Sequence, residues 1–194
     1  VDYRDQTSSF ESVAAFVTTD LNFIGRREPE RIRAASVSAN LFDAVGAVPA
    51  EGRLFAPEET HAVVISENFW KQRLGQAPDV IGRSVRLNNE EYTVIGLMPA
   101  AFEFPHSSFN FAEPAEVWIP LTFSTEQITE RRPPFNLNVI ALLKPGVTLD
   151  SARAEISMIG ARIHPEEGGW RTTLVPLQEQ IVAGSRRSLV ILFV

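Results

Sequence analysis

Between Leu137 and Leu177 the chain reads as strand, turn, helix and strand, and this unit restricts the fold more than any other feature. Leu137-Asn138-Val139-Ile140-Ala141-Leu142-Leu143 is an apolar run of strand length, and Lys144-Pro145-Gly146 turns the chain. Thr148 or Asp150 can then cap a helix whose apolar positions Leu149, Ala152, Ile156, Ile159 and Ile163 recur at three- and four-residue spacing. Thr172-Thr173-Leu174-Val175-Pro176-Leu177 returns as a strand. A helix with one apolar stripe must bury it, and the surface a βαβ unit offers is a sheet. Gly160 inside the helix marks a close-packing point.

The rest of the chain is richer in strands. Residues 10–24 combine a short apolar, helix-like start with β-prone Phe16-Val17-Thr18-Thr19. Arg31 to Ser38 alternates as a strand, and Asn40 to Val45 reads as a brief helix stopped by Gly46 and Pro49. Ala62-Val63-Val64-Ile65 is a buried strand, followed by a helix that Ser66 caps and Gly75 ends, with Phe69, Trp70 and Leu74 inward. Ser84–Leu87 and Tyr92–Ile95 flank Asn88-Asn89-Glu90-Glu91 as a β-hairpin, because Asn tolerates the left-handed backbone of tight turns. Val117-Trp118-Ile119-Pro120-Leu121 is a further strand, expected at a sheet edge because of its proline. The expected class is α+β, with one subdomain assembled from both chain ends and a strand-rich one inserted between boundaries near 41 and 135.

Charge and composition exclude several functions. The net charge is −6, and the paired arginines Arg26-Arg27, Arg131-Arg132 and Arg186-Arg187 are scattered. A nucleic-acid partner is not expected, since such proteins draw most of their affinity from a basic stripe against phosphates. With 0 cysteines there is no zinc ribbon, thiol nucleophile or disulfide framework. Val1-Asp2-Tyr3-Arg4-Asp5 is polar and unlike a signal peptide. Leu189-Val190-Ile191-Leu192-Phe193-Val194 is either a buried terminal strand or the opening of a membrane helix, which needs about 20 apolar residues.

No catalytic constellation emerges. His61, His106 and His164 lack a second ligand at helical or hairpin spacing, so no metal site is expected. The pairs Glu58-Glu59, Glu90-Glu91 and Glu166-Glu167 lie in polar, turn-like contexts that read as solvated surface rather than general acid–base machinery. Gly-x-Ser-x-Gly, Ser-x-x-Lys, a phosphate-binding loop and a dinucleotide fingerprint are all missing, so no cofactor is implied. The candidates for binding are the aromatics Phe102, Phe104, Phe109, Phe111 and Trp118. They read either as a core compensating for sparse secondary structure or as an exposed patch for a partner or amphiphilic substrate.

Ordered motifs run along nearly the whole chain. They include Ser38-Ala39-Asn40-Leu41-Phe42, Val45-Gly46-Ala47-Val48-Pro49 and Glu51-Gly52-Arg53-Leu54-Phe55. Val63-Val64-Ile65-Ser66, Phe69-Trp70, Ile81-Gly82-Arg83 and Val85-Arg86-Leu87-Asn88 follow. Tyr92-Thr93-Val94-Ile95-Gly96-Leu97-Met98-Pro99, Val117 to Leu121, Lys144-Pro145-Gly146-Val147-Thr148 and Ala152-Arg153-Ala154-Glu155 complete the series. In this order the chain resembles the MacB-like periplasmic core domain of bacterial ABC permeases, especially the acidobacterial permease group. Asn89 stands where that family usually has glycine.

The resemblance implies a porter-like α/β subdomain from residues 1–40 and 136–188, and an inserted strand-rich subdomain from 41–135. It implies that 189–194 open the second transmembrane helix, with stalk junctions near Val1–Ser9 and Ala183–Ser188. The implied setting is the extracytoplasmic face of the inner membrane. The implied partners are an ABC ATPase, a second permease protomer and a periplasmic adaptor or substrate. The implied role is non-enzymatic relay of ATP-driven change for export. One rival is a passive envelope receptor or adaptor domain. Another is a small hydrolase, which would need His106 or His164 beside a carboxylate and a serine.

Overall fold

A computed structural model describes residues 6–25, 28–105, 114–123, 137–163, 173–176 and 189–193. The strands are β1 (Phe10–Ile24), β2 (Glu30–Val37), β3 (Glu51–Gly52), β4 (Ala62–Ser66), β5 (Ser84–Leu87) and β6 (Glu90–Met98), followed by β7 (Val117–Pro120), β8 (Asn138–Leu143), β9 (Thr173–Pro176) and β10 (Leu189–Phe193). The helices are α1 (Leu41–Ala44), α2 (Glu67–Arg73) and α3 (Leu149–Ile163).

Residues 10–24 form one unbroken strand of 15 residues, without the helical start that the sequence implied. Its neighbours explain why. Phe16–Phe23 pair with β2 on one edge, while Phe10–Phe16 pair with β8 and Phe23–Ile24 with β5 on the other. Apolar residues that looked helical at short range are alternating positions shared between two separate cores.

Around the second half of β1 the ladder closes on itself. β1 joins β2, β2 joins β7, β7 joins β4, β4 joins β6, β6 joins β5, and β5 returns to β1. Closure removes the unpaired edges that make open sheets aggregation-prone. Leu21, Phe23, Ile32, Ala34, Val63, Ile65, Val85, Leu87, Val94 and Val117 fill the interior. Asp20, Asn22, Arg31, Arg33, Ser84 and Arg86 alternate with them and are exposed. β7 is thus an interior strand, not an edge. Its proline is tolerated because Pro120 lies beyond the β4 pairing, which covers only Val117 and Trp118.

α2 belongs to the same core. Ser66 caps it by accepting from the Phe69 N–H at 3.1 Å, and Phe69 packs edge-on to Phe23 at 5.1 Å. Outside the barrel wall a second layer gathers Phe16, Val37, Leu41, Phe42, Val64, Ile95, Met98, Phe104, Trp118 and Ile140. β3 lies against β6 in this region, with Gly52 opposite Gly96. A Cβ on Gly52 would stand 2.2 Å from the Ile95 carbonyl oxygen, and one on Gly96 2.3 Å from that of Arg53, so only glycine fits either place.

The first half of β1 continues into an open sheet in the order β1-β8-β10-β9. α3 covers it, burying Ala152 and Ile156 against Phe10, Val139, Ala141, Leu143 and Leu174. This is the expected βαβ unit, β8-α3-β9, with one strand between its two parallel members. That strand is Leu189–Phe193, where the resemblance implied a membrane helix. Periodicity cannot separate a buried strand from a helix in so short a run, and here it pairs with β8 and β9 on its two edges. Among the described residues no helix is long and apolar enough to cross a membrane. β2, expected with the chain ends, pairs with β7 of the middle segment, so its inward residues join the barrel core.

The short seam between β1 and β5 that closes the barrel is extended by Asn88. This residue and Asn89 hold left-handed backbone, with φ of 46° and 71°, at the tip of the β5–β6 hairpin. The Asn88 N–H donates to the Asn22 carbonyl at 2.9 Å, and its side-chain oxygen accepts from the Asn22 N–H at 2.8 Å. Asn88→Gly, which keeps the backbone but loses the side-chain acceptor, should cost about 1 kcal/mol. Asn88→Ala should cost about 1–2 kcal/mol more, because alanine is strained at positive φ. Urea unfolding of the three proteins checks the order.

Candidate functional site

The aromatic candidates separate on burial. Trp118 is 0% exposed and Phe104 5%, so both are core residues and neither is presented to a partner. The Trp118 indole N–H donates to the Phe104 carbonyl at 3.2 Å, and its ring lies 5.3 Å from Phe102 and 6.0 Å from Phe42. Phe102 is half-buried against the same cluster. Phe109 and Phe111 lie outside the described residues, as do His106, His164 and all three arginine pairs. Where regular structure is sparse, these rings supply the packed volume between barrel and open sheet.

Other polar candidates are tied into local structure. Glu59 grips Arg53 through two bonds of 2.6 and 2.9 Å and also accepts from the Ala56 N–H at 2.7 Å. The Arg53 hydrogen bond, opposed by partial burial and helped by the Ala56 N–H, holds the Glu59 carboxyl below its ordinary value. Burial, with the Glu90 carboxylate 3.0 Å away, pushes the Tyr92 hydroxyl up to about 12. His61 is exposed; its ring shares a hydrogen bond of 2.9 Å with the Thr60 hydroxyl and lies 5.8 Å from that of Tyr92. No group of three metal-ligating side chains occurs among the described residues.

Two polar clusters instead mark where the chain joins the sheet. The first explains the Ser38-Ala39-Asn40 motif. The Ser38 N–H donates to the Ala15 carbonyl at 2.8 Å, and its hydroxyl accepts from the Ala15 N–H at 2.9 Å, so the β1–β2 ladder extends by one residue. The Asn40 side-chain oxygen accepts from the Ser38 hydroxyl at 2.9 Å, and its amide nitrogen donates to Ser12 Oγ and the Val13 carbonyl at 3.1 and 3.0 Å. These bonds staple β1 where it passes from open sheet to barrel.

The second cluster lies just before β1. Glu155, on α3, accepts the Ser8 N–H at 2.7 Å and the Ser8 hydroxyl at 2.6 Å on one oxygen, and the Ser9 N–H at 3.0 Å on the other. The Ser9 carbonyl in turn accepts from the Lys144 N–H at 3.0 Å, beginning the pairing with β8. Partial burial raises the Glu155 carboxyl, but the hydrogen bonds from Ser8 and Ser9 outweigh it and hold the group at about 2. In the sequence Glu155 stands at the end of the Ala152-Arg153-Ala154-Glu155 motif with nothing local to give it a role. Its signal was its place beside Ala152, Ile156 and Ile159, on the flank of the buried stripe.

Two strands start at one end of the open sheet. Phe10 pairs with Leu143 and Leu189 with Leu142, on opposite edges of β8. β1 and β10 therefore enter side by side, two strand spacings or about 10 Å apart.

Solved structures share this fold. The periplasmic region of MacB from Actinobacillus actinomycetemcomitans superposes with a TM-score of 0.63 at 15% identity, covering 84% of this chain and 72% of that one. The extracellular domain of YknZ, a noncanonic ABC-type transporter from Gram-positive bacteria, gives 0.59 at 14% identity, covering 84% and 80%. A domain of a putative permease protein from Porphyromonas gingivalis gives 0.64 at 15% identity, covering 98% and 75%. No curated protein sequence matches. The fold is that of the extracytoplasmic domains of ABC-type permeases. The chain itself belongs to the family of MacB-like periplasmic core domains, whose model matches residues 1–159.

Because the folded Glu155 carboxyl titrates below its ordinary 4.5, its bonds stabilise the fold fully above that value and are lost as pH falls toward 2. Glu155→Gln should therefore be less stable than the unaltered domain at pH 7, and the gap should close between about pH 4.5 and 2. Urea unfolding across that range measures it. Trp118→Phe should cost about 1–3 kcal/mol in the same assay, since it loses the indole hydrogen bond to the Phe104 carbonyl, which the Ala115 N–H still holds at 3.2 Å, and leaves part of the buried indole volume empty.

Proposed function

We propose that this domain relays ATP-driven conformational change on the extracytoplasmic side of the membrane, serving export of a substrate or engagement of an envelope adaptor. ATP would be hydrolysed by an ABC ATPase, fused to the permease or on a separate chain, and the permease would act with a second protomer. The sheet half built from the chain ends is the porter-like module in this reading, and the barrel is the inserted one.

The observation that carries the proposal is β1. One strand of 15 residues belongs to the open sheet over its first half and to the barrel over its second. A displacement of the segment ahead of Phe10 is transmitted along covalent backbone, which does not stretch, rather than across a packed interface that can slide. The passive-receptor reading drew on an exposed aromatic patch, and Phe104 and Trp118, both buried, contribute no exposed surface to it.

The domain has 0 cysteines, so a single Arg86→Cys on exposed β5 can be labelled cleanly within it. In the intact permease, reconstituted with its ATPase in a bilayer containing acceptor lipids, energy transfer from this label should change when ATP is trapped with vanadate. An unchanged signal at full trapping would favour the passive receptor and sink the relay.

A further inference from the structure

We propose that Glu155 is a positioning residue that couples α3 to the incoming chain, giving the relay a second branch besides β1. This inference rests on the relay reading and concerns which parts of the domain the motion reaches.

α3 meets the sheet through apolar contacts of Ala152 and Ile156 with Phe10, Val139, Leu143 and Leu174. Such contacts hold the helix down but favour no position along the sheet strongly, because apolar attraction is non-directional. The contacts with the incoming segment are of another kind. Both oxygens of one carboxylate hold two consecutive backbone N–H groups, Ser8 and Ser9, with the Ser8 hydroxyl as a third donor. Charge-assisted bonds of this sort are short and geometrically demanding.

A second tie repeats the pattern. Arg162 hydrogen-bonds the Gln6 side-chain oxygen. Positions 155 and 162 differ by seven residues, which puts them on one face of α3 about 10 Å apart. As the chain advances from Gln6 to Ser9, its partners step back from Arg162 to Glu155. The incoming segment is thus laid antiparallel along two turns of the helix before it joins β1.

On the far side of α3, Arg153 donates to the Leu174 carbonyl of β9 through Nε at 3.3 Å and a terminal nitrogen at 3.0 Å. A polar chain therefore runs from Ser8 and Ser9 through Glu155 and the helix body to Arg153 and β9. Motion of the incoming segment has two routes. Along β1 it reaches the barrel, and through Glu155 it reaches α3 and β9.

The test is hydrogen exchange read by mass spectrometry on the intact permease with its ATPase, without nucleotide and after trapping ATP with vanadate. In the unaltered protein, peptides covering 16–24 of β1 and peptides covering α3 should both respond to nucleotide. Glu155→Ala should expose the Ser8 and Ser9 amides to about tenfold faster exchange, cut the response of α3 severalfold, to what the Arg162–Gln6 tie still carries, and leave that of 16–24 intact. Glu155→Gln keeps an acceptor for Ser8 but loses the carboxylate's second acceptor for Ser9, so the α3 response should fall by about half. A full α3 response in either variant overturns the role of Glu155 while the relay stands. If Glu155→Ala loosens α3 even without nucleotide, Glu155→Gln alone decides. No nucleotide response anywhere in the unaltered protein overturns the relay reading itself, and this inference with it.

Discussion

Every other part of this structure is arranged around a strand that must satisfy two sheets. β1 has only two edges, yet it serves β2 along one and both β8 and β5 along the other. Its side chains alternate between cores accordingly. Ala14 and Phe16 face the layer between barrel and open sheet, Phe10 faces α3, and Leu21 and Phe23 face the barrel interior. A shift of one residue would take each of these out of its core, so the register of this strand sets the register of both halves. The Ser38–Asn40 staple stands at the handover, where a slip would cost most.

The two halves are held by different physics. The barrel is a closed ladder with an apolar filling, whose short return from β5 to β1 is completed by a side chain, that of Asn88, standing in for backbone. The terminal sheet is open, and its helix is secured at both flanks by ionic groups on backbone, Glu155 toward Ser8 and Ser9 and Arg153 toward Leu174. Closed ladders resist deformation as a unit, whereas a helix held by a few directional bonds can change position once those bonds change. That contrast suits a domain in which one part is carried and another part responds.

The sequence was most informative where local chemistry and tertiary packing agree. The Ser66 cap, the Gly75 stop, the Asn88-Asn89 turn and the β8-α3-β9 unit depend on short-range rules, and each is present. It was least informative where neighbours distant in the chain decide. Residues 10–24 looked partly helical because Ala14, Ala15 and their surroundings have weak strand propensity alone. Pro120 looked like an edge residue because a strand's flanking partners are invisible in its own sequence. Trp118 and Phe104 were legible as aromatic and undecided as to burial, since the same residues serve a core or a binding patch.

By itself the amino-acid order determined most element types outside residues 10–24 and 189–194, the caps and turns, the absence of thiol chemistry and a family membership carried by ordered motifs. Those properties follow from rotamers, backbone preferences and residue chemistry within a few positions. Tertiary structure alone decided that six strands close into a ring, that Leu189–Phe193 takes the place between β8 and β9, and that Glu155 meets residues 146 and 147 positions away. Such contacts pair groups whose separation along the chain leaves no periodic trace, and only the shared strand β1 brings them within reach.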